Sequence, residues 1–415
     1  MTTTPVHLTP EQIEDPVGAY AAFRDQDELP RVVLPGLETP VRLVTRHLDV
    51  KAALTEPRLV RDRTAIATVR AESDPQDELQ AAAFDAFPPE YAKYLSGHLA
   101  LFDGEEHARR RAPLTRAFTA RRIAALRGFT ERTAAELLTE LAGRDRPADL
   151  LAEFAYPLST HVICELVGVE TEDRTRVCDW IRDLAYGDGT GMVDGLAGIV
   201  DYVKELIARR RAHPTEDLIS TLVHGTREGE QPLDEDDLVS IVVLLINTGI
   251  TPPALFLAHG LLALFDHPDQ LARLRDEPEL LERAVPELLR YVTLVRIGAT
   301  LYATEDFEFA GTALRTGDPV TVALLAADHD PREYGEAPER LDIEREFGRG
   351  DGHLAFGHGA HYCLGAALGR LVTSVVLDQV LVQRPEAALA VRREELEFGH
   401  WPGDGFHLLA LPIQL

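Results

Sequence analysis

Cysteine is scarce: Cys164, Cys178 and Cys363 are the only three in 415 residues. An odd and widely spaced set excludes a disulfide framework and a zinc site built from cysteine alone, so each thiol is judged singly. Positive charge is also in short supply. With 42 Lys and Arg against 69 Asp and Glu, and a formal net charge of −27, the chain lacks the basic surface that phosphate contacts need. That excludes nucleic acid and anionic membrane as partners. No segment approaches the uninterrupted apolar run expected of a membrane span. The opening MTTTPVHLTPEQIEDP has neither the basic stretch nor the apolar core of a secretion signal, and a cytoplasmic location is expected. Internal repeats, low-complexity segments and clear linkers are absent, and the length of residues 1–415 suits two or three average domains or one large one.

What is present is mostly helical pattern. From about residue 105 to 290 apolar positions recur three and four apart, as in TERTAAELLTELAG and MVDGLAGIVDYVKELIARRR. Strand-like runs are few: TPVRLVTR, DFEFAG, DPVTVALLAA and HLLALPIQL. The expected class is mainly α with a small β-rich subregion. Polar stretches at 70–79 and 224–236 read as flexible covers. The glycine-rich YGDGTGMVDG at 186–195 lacks a preceding strand and a third phosphate-loop glycine, and reads as a helix–helix loop.

Two stretches carry chemistry. In HARRRAPLTRAFTARRIAALR, Arg109, Arg110, Arg111, Arg116, Arg121, Arg122 and Arg127 face no carboxylate, which reads either as a solvated face or as a cationic platform for an anion. In FGHGAHYCLGAALGRL, Gly357 and Gly359 permit a tight turn, and Cys363 stands where a loop hands over to a helix-forming run. A helix N-terminus favours a thiolate, which is a good metal ligand. On these grounds alone a buried, unreactive cysteine is equally open.

The second stretch resembles the haem-binding signature of the cytochromes P450. The resemblance implies Cys363 as the axial thiolate ligand to iron, Phe356 packed near the sulfur, His361 meeting a haem propionate, and Gly365 in the Leu-Gly that follows. With no CxxCH motif, haem b would be held without covalent attachment. Further matches follow in family order. EEHARRR supplies His107 and Arg111 as propionate contacts, with the remaining arginines forming a docking face for an acidic ferredoxin. PELLRY supplies the Glu-x-x-Arg pair Glu287 and Arg290, and APERLD supplies Arg340 as third member of a buried ion-pair triad. The implied fold is the P450 fold, one mainly α domain with a small β-rich part. The implied protein is a soluble monomer that works with a separate ferredoxin and ferredoxin reductase.

The chain departs from that pattern in INTGITPPALF. Setting Gly249 on the glycine of the family's Ala/Gly-Gly-x-acid-Thr puts Thr248 before it and Ile250 after it. Thr251 then takes the acid's place and Pro252 the alcohol's, and the spacing back from Glu287 gives the same register. Pro252 and Pro253 cannot donate to the carbonyls of Thr248 and Gly249, so the helix is expected to open or kink here and to hold water. Three readings stand. Protons come through substrate groups and waters. Or the enzyme performs an oxidation with less conventional proton delivery, such as cyclisation, coupling or desaturation, or uses peroxide. Or the prolines only shape the pocket and a hydroxyl of Thr248 or Thr251 substitutes.

A second departure places Leu301 where the family often has a propionate-binding arginine. Arg296, nearby in the segment that usually lines the substrate pocket with Leu294, Val295 and, on the central helix, Ile250, would then bind a propionate, pair with a substrate carboxylate, or face solvent. Cys164 and Cys178 read as packing. Trp180, Met192 and the aromatics of AAAFDAFPPEYAKYL fall in regions that cover the pocket in the family. The activity implied is oxidation of an apolar or mixed-polarity small molecule, free or carrier-tethered, in specialised metabolism. An auxiliary P450-like protein that activates a partner enzyme is the rival outside catalysis, and Cys363 counts against it.

Overall fold

A computed structural model describes residues 4–63, 66, 74–78, 87–96, 99–187, 189–225, 231–348, 352–400 and 405–415. The chain falls into two compact units. The first comprises Met1–Ala83, Asp266–Cys363 and Phe398–Leu408, and the second Phe84–Phe265, Leu364–Glu397 and Leu409–Leu415. The longer helices, in chain order, are α1 (Gly104–Ala117), α2 (Arg127–Ala142), α3 (Tyr156–Val167), α4 (Arg174–Tyr186), α5 (Gly189–Ala212), α6 (Glu235–Phe265), α7 (Leu281–Val292) and α8 (Ala366–Leu377).

The first unit is built on a six-stranded mixed sheet of β1 (Val6–His7), β2 (Arg31–Val33), β3 (Val41–Val44), β4 (Leu59–Val60), β5 (Leu301–Ala303) and β6 (Pro319–Val322), ordered β1-β2-β3-β6-β5-β4. The central β3 and β6 run parallel, with Leu43 opposite Thr321 and Val44 opposite Val322. Successive strand side chains point to opposite faces, and both faces here are covered. Val41 and Leu43 join Leu8, Ile13, Tyr20 and Val32 in one cluster, whereas Val44 joins Val50, Leu301, Val320 and Val322 in another. The run DPVTVALLAA is strand only to Val322. After Ala323, whose N–H still bonds the Val44 carbonyl, the Leu/Ala residues Leu324–Ala327 turn helical.

α7, in the same unit, places Glu287 and Arg290 one turn apart on one face, both at 0% exposure. Their bond is bidentate, at 2.7 and 2.8 Å, and Arg290 also donates to the carbonyls of Asp328, Pro338 and Arg340. The second guanidinium on Glu287 belongs to Arg345, with Nε at 3.2 Å from the carboxylate, and not to the expected Arg340. Arg340 contributes only its carbonyl, which Arg345 and Arg290 both reach. A buried carboxylate left with one partner is strongly destabilising.

The second unit is helical around α6, whose 31 residues are apolar on nearly every face, as a helix buried on all sides must be. Contrary to the sequence expectation, α6 and the Leu150–Val167 segment are each long and apolar enough to cross a bilayer, but 67% and 72% of their apolar windows are buried within the fold. Nor does α6 break at the prolines, since helical structure continues from Glu235 to Phe265. Proline at 252 and 253 removes two backbone donors, and the turns on either side stay helical. Gly249 marks a close approach, because a Cβ there would stand 2.4 Å from the Ile163 side chain of α3.

YGDGTGMVDG joins two helices as expected, since α4 ends at Tyr186 and α5 begins at Gly189, but its later residues, like Gly198 just beyond it, lie within α5. A Cβ on Gly195 or Gly198 would run into the Trp180 carbonyl at 2.6 Å or its ring at 2.4 Å. Trp180 is therefore a contact between α4 and α5. Of the expected covers, residues 70–73, 79–86 and 226–230 lie outside the described residues, while PEYAKYL belongs to the helix Pro89–Ser96. Substituting Arg345→Ala is expected to cost about 3–5 kcal/mol of unfolding free energy, the range for breaking a buried pair. Arg340→Ala, which keeps the carbonyl, should cost under about 1 kcal/mol in the same urea titration.

Candidate active site

The loop ahead of Cys363 is anchored to the Glu287 network by a run of hydrogen bonds in the first unit. Asp328, whose carbonyl accepts from Arg290, takes the Leu354 N–H on Oδ1 at 2.7 Å and the Thr293 hydroxyl on Oδ2 at 2.8 Å. Burial pushes its carboxyl up to about 7 in spite of these donors. From Leu354 the chain turns. The Gly357 N–H bonds the Leu354 carbonyl at 2.8 Å, and the Cys363 N–H closes the loop onto the Phe356 carbonyl at 2.9 Å. Gly357 and Gly359 sit at φ +69° and +72°, and a Cβ on Gly359 would meet the Leu54 carbonyl oxygen at 2.8 Å. Only glycine fits there without strain.

Cys363 ends up exposed, whereas Cys164 and Cys178 are buried. Burial pushes the Cys164 thiol up to about 12 and raises that of Cys178 too, so both act as packing. The buried reading of Cys363 is thus excluded. An accessible sulfur on a rigid glycine-braced loop, two residues before the Gly365 cap of α8, fits the single protein ligand of a haem iron. Among the described residues no group of three or more His, Cys, Asp or Glu gathers as a separate metal cage. Phe356 lies beside the sulfur loop with its ring 6.3 Å from that of Tyr362, and His361 closes the short turn Gly359–His361.

In the second unit the faces of α6 differ. Thr248 is exposed, its hydroxyl bonding back to the Leu244 carbonyl at 2.7 Å, and Pro252, four residues on and so on the same face, is partly exposed. Thr251 and Ile250 are buried. Ile250, at 0% exposure, belongs to the core and not to a substrate surface. α1 buries His107 and half-buries Arg111. Its neighbours do not form an open cationic platform. Arg109 and Arg110 each pair with both Glu106 and Asp237, and these bonds hold the Glu106 carboxyl down to about 2. Arg122 donates to the Glu216 carbonyl, which leaves Arg121 and Arg127 as arginines of this run that stay exposed. Asp237 could not be found from sequence, since it lies 128 residues from Arg109.

Arg296 is neither solvent-facing nor open to a ligand. It is 3% exposed, pairs with Glu14 at 2.6 Å, and donates to the carbonyls of Leu294 and Phe406 at 2.7 and 2.8 Å. Glu14 in turn accepts the Phe406 N–H at 2.7 Å. Arg296 is thus a clamp between the N-terminal region and the strand Phe406–Leu408. Leu294 beside it is half-buried and Val295 is 45% exposed.

Comparison with known proteins gives the family and the fold. A family profile described as Cytochrome P450 matches residues 192–384. Cytochrome P450 107B1 of Saccharopolyspora erythraea is 34% identical over 388 residues, covering 93% of this chain and 91% of that protein. The polyketide biosynthesis cytochrome P450 PksS of Bacillus subtilis is 33% identical over 408 residues, covering 97% and 96%. The ligand-free P450 monooxygenase TamI superimposes with a TM-score of 0.84 at 33% identity, covering 99% of this chain and 94% of that one.

Because Arg296 is a clamp, Arg296→Leu is expected to lower unfolding free energy by about 2–4 kcal/mol, somewhat below a fully buried pair because the Glu14 side chain keeps 29% exposure. Glu14→Gln added to it should change little further in a double-mutant cycle followed by circular dichroism, since the pair is already broken.

Proposed function

Since the chain belongs to the cytochrome P450 family, whose members are haem b monooxygenases, we propose that residues 1–415 act as one P450 domain that oxidises an apolar small molecule of specialised metabolism. The observation that carries this reading is the exposed Cys363 on its glycine-braced loop. Thiolate-bound haem supplies dioxygen activation, because sulfur pushes electron density toward iron and favours O–O cleavage.

The chain's own groups would act around it. Cys363 would hold the iron from the loop fixed by Asp328 and Leu354, and Phe356 would shield the sulfur. His107, Arg111 and His361 would meet the propionates, and Gly365 caps the start of α8 two residues after Cys363. On α6, Thr248 is the hydroxyl on the open face. With its donor-free neighbours, the Thr248 and Gly249 carbonyls, it can fix water where Pro252 offers no hydroxyl. Leu294 and Val295 give the substrate an apolar wall. The substrate class follows from the relatives, one of them assigned to polyketide biosynthesis. Electrons come from a small acidic ferredoxin, steered by exposed cations such as Arg121 and Arg127.

Reduced protein with carbon monoxide is expected to give the difference band after which the family is named, and Cys363→Ser should abolish that band while haem still binds. Haem-loaded parent protein without the band would defeat the proposal. Turnover with ferredoxin, reductase and NADPH, and none with hydrogen peroxide alone, separates a monooxygenase from a peroxide user.

A further inference from the structure

Thr251 follows Thr248 by one turn of α6 but is buried. It is 6% exposed, and its Oγ1 makes no hydrogen bond of ordinary geometry among the described residues, yet it lies beside the Tyr156 hydroxyl. A buried hydroxyl without a firm partner is costly, and an apolar residue of similar shape would avoid the penalty. Tyr156 opens α3 and is 1% exposed, with its Oη 3.0 Å from the Oη of Tyr186. Tyr186 ends α4 and is 38% exposed. Both tyrosines line a cavity of about 570 Å³ together with Asp179, Arg182, Asp183 and Leu409. Hydroxyl groups thus run in sequence from a cavity at the surface, through Tyr186 and Tyr156, to Thr251, the residue next to the paired prolines.

We propose that Tyr186, Tyr156 and Thr251 form a hydroxyl relay that carries protons from this cavity to the donor-free turn of α6 at Pro252 and Pro253. The inference rests on the reading of α6 as the helix that serves oxygen activation. A cavity water gives a proton to Tyr186, whose own proton passes to Tyr156, that of Tyr156 to Thr251, and that of Thr251 to a water held by the Thr248 and Gly249 carbonyls. Each hydroxyl gains one proton and loses one, and the hydroxide left in the cavity is neutralised by bulk solvent. Tyr156 donates to Tyr186 in the resting arrangement, but hydroxyl hydrogens rotate and the pair can pass a proton either way. Burial raises the pKa of both phenols, so protons move by exchange and neither tyrosine ionises. Arg182, Asp179 and Asp183 are the charged groups that line the entry.

The test uses haem-loaded Tyr156→Phe, Tyr186→Phe, Thr251→Val and Thr251→Ser. Each Phe or Val variant is expected to keep the carbon monoxide band and to lose product by about tenfold, short of the roughly hundredfold or more of a directly positioned acid. Reducing equivalents should appear as peroxide, and Thr251→Ser should restore coupling. Independently of turnover, the Tyr156 signal in ¹³Cζ-tyrosine NMR of the resting protein should shift in Thr251→Val and Tyr186→Phe and return in Thr251→Ser. An intact band with an unshifted Tyr156 signal, or with unchanged coupling in Tyr156→Phe, overturns the relay alone. A parent protein without the band overturns the proposed function and the relay's catalytic purpose together.

Discussion

The Glu287 carboxylate, wholly out of solvent, is gripped by the forked guanidinium of Arg290, by Arg345 and by the Asp342 N–H. Ionised groups in such surroundings hold only if nearly every lone pair and proton is used. Arg290 uses its remaining donors on three carbonyls, one of them that of Asp328, and the Asp328 side chain fixes the Leu354 N–H. From Leu354 to Cys363 the chain has two backbone bonds and two left-handed glycines to complete the turn. The position of the sulfur thereby inherits the rigidity of a buried ion pair in the same unit.

α6 solves a different problem. Its apolar surface holds it in the core, so two prolines cost it two hydrogen bonds without breaking its course. The loss is confined to one turn, and that turn lies between two unlike faces. Thr248 and Pro252 keep some exposure, while a Cβ on Gly249 would meet Ile163 of α3 and Thr251 is buried beside Tyr156. Position 252 carries no hydroxyl, and the hydroxyl next to it, at Thr251, is buried without a hydrogen bond of ordinary geometry.

Much of the site was legible because it is local. Gly357, Gly359 and Cys363 lie within seven residues, and the Glu287–Arg290 pair is one helical turn, so spacing alone dictates their geometry. The third arginine was misassigned because Arg340 and Arg345 lie on one loop, and only its folding decides which guanidinium reaches the carboxylate. Of the two carboxylates that Arg109 and Arg110 share, Glu106 is one helical turn away and legible from spacing, whereas Asp237 comes from a distant helix. Arg296 was ambiguous for the same reason, its partners being Glu14 and Phe406 at opposite ends of the chain. That Gly195 packs on Trp180 was not legible either, because sequence does not reveal which residue of α4 crosses α5.

The sequence by itself determined the chemistry on offer: a single thiol in a glycine turn, an ion pair at helical spacing, and prolines where a proton-passing hydroxyl is usual. Tertiary structure decided which thiol is exposed, which arginine completes the network, and that Thr251 is buried beside Tyr156. The physical reason is range. Backbone sterics and helical periodicity act over a few residues and can be read directly, whereas burial and long-range pairing depend on which distant side chains the fold brings within hydrogen-bond reach.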